Sequence, residues 1–141
     1  MTTLHALGLP RMGAGRELKW ALESYWKGES GADALLAVAR ELRAKHWAMQ
    51  TKAGCAFVAV GDFSLYDHML DMSARLGVVP GRFIWRGGQA DLDTYFRMAR
   101  GRAPTGEATF ACEMTKWFDT NYHYLVPELQ AEQTFSLARH D

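Results

Sequence analysis

Arg16 and Lys19 stand three residues apart, directly after the glycine turn Gly13-Ala14-Gly15 and at the start of a helical pattern. A helix start carries partial positive charge, so cations there cost roughly 0.3–1 kcal/mol where carboxylates would help. An anion would repair the mismatch. Free backbone N–H groups, a glycine turn that admits a ligand closely and two basic side chains together suit a carboxylate or phosphate. The competing reading is a solvated face on which Arg16 and Lys19 pair with Glu17 or Glu23.

Two further places carry chemistry. Gly61-Asp62-Phe63-Ser64 follows an apolar run, and in α/β sheets ligands gather at the carboxyl ends of parallel strands, which puts Asp62 and Ser64 on a functional rim. Alternatively, Asp62 or Ser64 only caps the next helix. The stretch from Glu113 to Tyr124 packs Lys116, Asp119, Asn121, His123 and four aromatics into a strand-end loop. It reads either as a ligand wall or as aromatic core with turn residues, His123 then being structural. Stacking of single-stranded nucleic acid on these aromatics is a third, weaker reading.

Catalytic motifs are missing. The sequence has no HxH, HExxH, CxxC pair, P-loop, GxSxG or complete dinucleotide fingerprint, so no nucleophile or metal site is specified. The histidines at 5, 46, 68, 123 and 140 are scattered, and Cys55 and Cys112 lie far apart in apolar stretches, which predicts buried thiols rather than a disulfide.

The elements that must position these residues follow from periodicity. Leu18, Ala21, Leu22, Tyr25 and Trp26 recur at helical spacing until Gly28. Ser30 and Asp33 form a capping-box pattern for a second helix whose apolar face runs Leu35, Val38, Ala39, Leu42, Trp47 and Met49 up to Gly54. CAFVAV, residues 55–60, reads as a parallel strand buried on both faces. Ser64 and Asp67 repeat the capping-box pattern before a third helix with Leu65, Met69, Met72 and Leu76 inward. A loop spans Val78 to Ala90, a helix runs from about Asp91 to Arg100 with Leu92, Tyr95, Phe96 and Ala99 inward, and TFACEM and HYLV are short strands around the aromatic stretch. Thr134-Phe135-Ser136-Leu137 is a last strand candidate. Alternating strands and helices predict an α/β sheet with right-handed crossovers.

Composition sets the frame. The chain has 141 residues, 48% of them hydrophobic and 23% charged, which predicts one globular domain and excludes a disordered or coiled-coil chain. Sixteen basic residues balance sixteen acidic ones, so no general attraction draws it to nucleic acid or anionic lipid. No apolar run approaches a bilayer span and the start lacks a signal-peptide pattern, so the expected compartment is the cytoplasm, without membrane or nucleic-acid partners.

Several long strings carry a family resemblance. Leu9-Pro10-Arg11-Met12-Gly13, Arg16-Glu17-Leu18-Lys19, the run from Ala21 to Gly28, Val60-Gly61-Asp62-Phe63-Ser64-Leu65-Tyr66-Asp67-His68, Asp91-Leu92-Asp93-Thr94-Tyr95-Phe96 and the run from Glu113 to Glu128 agree in order and spacing. Together they resemble the N-terminal portion of cobalamin-independent methionine synthase across nearly the whole chain. That family moves a methyl group from 5-methyltetrahydrofolate polyglutamate to homocysteine with zinc. By resemblance, Arg16, Glu17, Leu18 and Lys19 match one contact with the folate polyglutamate and Lys116 a second, with Asp62 and Ser64 as supporting rim residues. A polyglutamate tail is a string of carboxylates, the chemistry to which Arg and Lys side chains give charge-assisted hydrogen bonds.

The resemblance implies an α/β fold in which residues 1–141 form about the first half of an N-terminal (β/α)₈ barrel. A full barrel needs about 250 residues, so this half is expected to leave open strand edges. Zinc, homocysteine site and proton donor all belong to the family's C-terminal barrel, so no metal ligand or catalytic residue is expected here, and the chain alone is expected to be inactive. Its expected partners are the folate polyglutamate and either the missing portion or a second copy. The alternative is a non-enzymatic module that dimerises through its open edges or docks on a full-length synthase; an independent small metalloenzyme lacks any ligand motif.

Overall fold

The computed structural model describes residues 2–133 and 135. It divides into two units, Met1–Leu65 and Tyr66–Asp141. In the first unit, α1 (Glu17–Trp26) packs against α2 (Ala32–Lys52). Leu18, Leu22 and Tyr25 of α1 and Leu35, Ala39 and Leu42 of α2 form the core between them, as the helical spacing predicts. Gly28 turns out of α1 with φ 74°, a left-handed conformation that glycine adopts without a Cβ clash.

Two expectations for α2 fail. Its N-cap is Gly31 with no side-chain cap bond, so Ser30 and Asp33 do not form a capping box. Its buried face continues through His46 and Gln50, while Trp47 and Met49 are exposed. The reason is a polar one. Ala59 N–H donates to Gln50 Oε1 at 2.9 Å, so Gln50 lies inside because it satisfies backbone that would otherwise lose its partner.

The 55–60 run is therefore held differently from a doubly buried strand. Ala56 N–H donates to Leu4 O at 2.9 Å, and His5 and Phe57 form a single parallel bridge. Phe57 is 68% exposed and Val60 71% exposed. Burial on both faces requires strands at both edges and helices on both sides, and among the described residues this segment has one bridge on one edge.

In the second unit, α3 (His68–Leu76) begins at Asp67, whose side chain accepts from Leu70 N–H at 2.9 Å. Asp67 is thus the cap itself, not the partner of a Ser64 cap. The inward residues are Leu70 and Ser73, and Met72 is exposed, because the helix starts at His68 and its core-facing stripe is set from there. The 78–90 segment includes a short 3₁₀ helix, Gly81–Phe83, that buries Phe83. Helix α4 (Leu92–Arg100) is capped by Asp91, which accepts from Thr94 N–H at 2.6 Å, and buries Tyr95, Phe96, Met98 and Ala99. Gly101 ends it at φ 74°, where a Cβ would collide with Thr109 O.

Strands β1 (Met114–Lys116) and β2 (His123–Leu125) pair antiparallel, with Lys116 opposite His123. A parallel crossover needs about a dozen residues, more than 117–122 supply, so a hairpin forms where a parallel sheet is expected. TFACEM contributes only its last residue to β1. Thr109 N–H and Cys112 N–H donate instead to Gly101 O and Met98 O, completing the carbonyls at the end of α4. The strand expected over 134–137 lies outside the described residues except for Phe135. The described chain is mixed α and β, and none of its helices is long and apolar enough to cross a membrane.

Candidate functional site

The basic turn of the first unit is built by glycine. Arg16 N–H donates to Gly13 O at 3.1 Å and Gly15 N–H to Glu17 Oε2 at 3.0 Å. A Cβ on Gly13 would strike the Glu17 carboxylate and come within 2.8 Å of Leu42 Cδ2, so only glycine fits. Arg16 is the N-cap of α1 with φ 59° and ψ 33°, so it lies outside the helix that carries Lys19. A non-glycine residue held there costs about 1 kcal/mol.

The four residues of the string separate by role. Arg16 is exposed and makes no ion pair among the described residues. Glu17 turns back to the glycine turn. Leu18 is fully buried and its N–H donates to Met12 O, so its side chain belongs to the α1–α2 core. Lys19 Nζ lies 3.7 Å from Glu23 Oε1 and 4.8 Å from the Trp20 ring centroid, which is the charge pairing named as the competing reading. With both side chains about two-fifths exposed, that pair is weak enough for another carboxylate to exchange with it.

Asp62 and Ser64 serve the same unit's framework. Leu9 N–H donates to Asp62 Oδ2 at 2.9 Å, and Gly8 lies so close that a Cβ would overlap the Asp62 side chain. Ser64 is buried, and Arg11 Nη1 donates to Ser64 O at 3.4 Å and Leu65 O at 2.9 Å. Neither residue caps α3. Both tie 61–65 to the segment preceding the basic turn.

In the second unit, Lys116 is exposed on β1 and makes no ion pair among the described residues. The neighbouring aromatics are not core: Trp117 and Tyr122 are about half exposed and Phe118 is 83% exposed. Trp117 meets Phe118 and Tyr124 edge-to-face, with centroids 5.1 and 5.6 Å apart. The turn is closed by Trp117 N–H to Tyr122 O at 2.8 Å and Thr120 Oγ1 to Trp117 O at 2.6 Å. His123 Nδ1 lies 3.1 Å from Asn121 O.

Sequence reasoning misses three polar centres. Asp67 is 4% exposed and, besides its cap, accepts from Tyr122 Oη at 2.8 Å and Leu125 N–H at 3.2 Å. Arg82 grips Glu128 with two bonds of 2.5 and 2.6 Å, and its Nε donates to Phe110 O at 3.0 Å. Its bonds from Arg82 hold the Glu128 carboxyl below its usual range, while burial, then the nearby Glu128, pushes the Cys112 thiol up to about 11. Tyr95 Oη donates to Asp71 Oδ1 at 2.5 Å; burial raises the Asp71 carboxyl and, with Asp71 itself, pushes the Tyr95 hydroxyl well above its ordinary value. No local pattern announces Arg82–Glu128, whose partners are 46 positions apart. The Asp67 signal is visible only as a cap.

A family model described as the cobalamin-independent synthase N-terminal domain matches residues 3–141, which takes in the basic turn, Asp62, Ser64 and Lys116. The chain belongs to this family. It is 63% identical over 135 residues, 96% of its length, to a 5-methyltetrahydropteroyltriglutamate–homocysteine methyltransferase of Syntrophotalea carbinolica. Enzymes of the same name from Salmonella paratyphi B and Salmonella schwarzengrund are 59% identical over 138 residues, 97% of the chain. The chain spans 18% of the length of each of these relatives.

Among the described residues no group of three or more His, Cys, Asp or Glu side chains is placed to hold a metal ion, and Arg82 Nη2 lies 3.6 Å from the Cys112 Sγ.

Proposed function

We propose that this chain is the folate-tail-binding part of a cytoplasmic methyltransferase of methionine biosynthesis. The reaction moves the methyl group of 5-methyltetrahydrofolate polyglutamate to homocysteine. Arg16 and Lys19 in the first unit and Lys116 in the second each supply a cationic contact for tail carboxylates, with Asp62 and Ser64 steadying the rim. One observation carries the reading: Arg16 and Lys116, both in strings that resemble the family's tail contacts, are exposed cations without ion pairs among the described residues. Glu17 and Leu18 support the turn rather than touch the tail, since a carboxylate repels a polyanion and Leu18 is buried.

We further propose that the described chain is the opening part of a (β/α)₈ barrel. The parallel His5–Phe57 bridge, with α1 and α2 lying between its partners in sequence, is one crossover step of such a sheet. Zinc and homocysteine are then held elsewhere in the synthase, and the 141-residue chain does not turn over by itself.

Calorimetry with 5-methyltetrahydrofolate triglutamate and monoglutamate tests the tail contacts. The triglutamate is expected to bind more tightly, and Arg16→Ala and Lys116→Ala each to remove up to about fivefold of that advantage at low salt. Equal affinity for the two ligands refutes the reading. Methionine formation by the zinc-supplied chain refutes its expected inactivity. A second reading, a module that dimerises, is favoured by the exposed apolar side chains Leu4, Leu7, Phe57 and Val60 around the open bridge. Sedimentation showing a dimer would favour it.

A further inference from the structure

We infer that Asp67 and Tyr122 are positioning residues for Lys116, fixing the hairpin that presents this cation; the inference rests on the tail-binding reading above. Strands β1 and β2 are three residues each, and a two-stranded hairpin of that size is marginal on its own in water. Met114, Lys116 and His123 are exposed, so burial within the hairpin does not hold the Lys116 side chain. Ties to another element must do so.

Those ties converge on one carboxylate. Leu125, the last residue of β2, donates its N–H to Asp67 Oδ2, and Tyr122, just before β2, donates its hydroxyl to Asp67 Oδ1. Asp67 therefore grips β2 at both ends. Lys116 stands opposite His123, between those two grips, and Trp117 N–H bonds Tyr122 O on the next rung. Asp67 is itself fixed by burial and by the Leu70 N–H of the α3 cap. The cap occupies Oδ2 alone; nothing in the helix requires the bond from Tyr122 to Oδ1. That bond joins a half-exposed tyrosine in the turn to a buried helix start, which is what a positioning contact for Lys116 requires.

Tyr122→Phe removes only the hydroxyl and leaves the cap in place, whereas Asp67→Ala endangers α3. Affinities for triglutamate and monoglutamate folate are measured for the unmodified chain, Tyr122→Phe, Lys116→Ala and the double variant. Tyr122→Phe is expected to lower the triglutamate-to-monoglutamate affinity ratio by about threefold. In the Lys116→Ala background it is expected to add nothing, because both changes act through the same contact. An equal loss in both backgrounds, or a loss shared by both ligands, overturns the inference and makes Tyr122 a general stabiliser.

Hydrogen exchange gives a reading independent of the ligand. Tyr122→Phe is expected to speed exchange at the Trp117 amide by about tenfold and to leave the Leu70 amide unchanged. An unchanged Trp117 amide overturns the positioning role. If the unmodified chain binds both folates equally, the tail-binding reading fails and takes the functional half of this inference with it; the Trp117 amide then still decides whether Tyr122 holds the hairpin.

Discussion

Replacing Glu128 by Gln tests how the second unit holds the Arg82–Glu128 ion pair. Arg82 and Glu128 form a two-bond fork at 2.5 and 2.6 Å, with side-chain exposures of 17% and 39%. Glutamine keeps the volume and one acceptor but loses the charge and one oxygen, and leaves Arg82 with Phe110 O and a longer contact to Ala111 O. A hydrogen bond to a charged group contributes about 1.5–3 kcal/mol when shielded, and an exposed ion pair about 0.2–1 kcal/mol. The half-open geometry puts the expected loss near 1.5 kcal/mol at neutral pH.

The pH dependence has a definite sign. Arg82 lowers the Glu128 carboxyl in the folded chain, so its contribution is full above the unfolded value of about 4.3 and disappears as pH falls through the lower folded value. Urea unfolding of both proteins at pH 7 and stepwise down to pH 3 measures the difference, and other carboxylates cancel in it. The gap is expected to be constant from pH 7 to about 5 and to narrow below. A gap under about 0.3 kcal/mol at pH 7, or one that stays constant to pH 3, refutes the reasoning.

Three other predictions follow from the same contacts. Arg16→Gly relieves the left-handed backbone at φ 59° and is expected to raise stability by about 0.5–1 kcal/mol while weakening triglutamate binding, checked by urea melts and calorimetry on one sample. Cys112, buried with its thiol pushed up to about 11, is expected to resist a thiol reagent at pH 8 until the chain unfolds, while the half-buried Cys55 reacts first in a timed titration. Asp71→Asn keeps an acceptor for Tyr95 and removes a carboxylate whose ionisation burial disfavours. It should therefore match or exceed the parent's stability at pH 7 and lose any gain below the folded Asp71 value, as thermal melts at pH 7 and 4 would show.

What the sequence determined by itself is local or lexical. Among the described residues amphipathic spacing located α1, α2 and α4, since Leu18, Leu22, Leu35, Ala39 and Phe96 each sit where a 3.6-residue period puts them, and it announced α3 with the wrong residues inward. The glycine turn and the long strings around Arg16 and Lys116 carried the family, because a string is visible without knowing where its residues point. Tertiary structure decided the rest. It put Gln50 inside and Trp47 outside, since a backbone N–H at Ala59 needed an acceptor. It made 114–116 and 123–125 a hairpin, left 55–60 with one parallel bridge, and moved the α3 cap from Ser64 to Asp67. It also joined Arg82 to Glu128 and Tyr122 to Asp67. The physical reason is common to these cases: periodicity records which face is apolar, whereas the partner of a buried polar group depends on which distant segment arrives beside it.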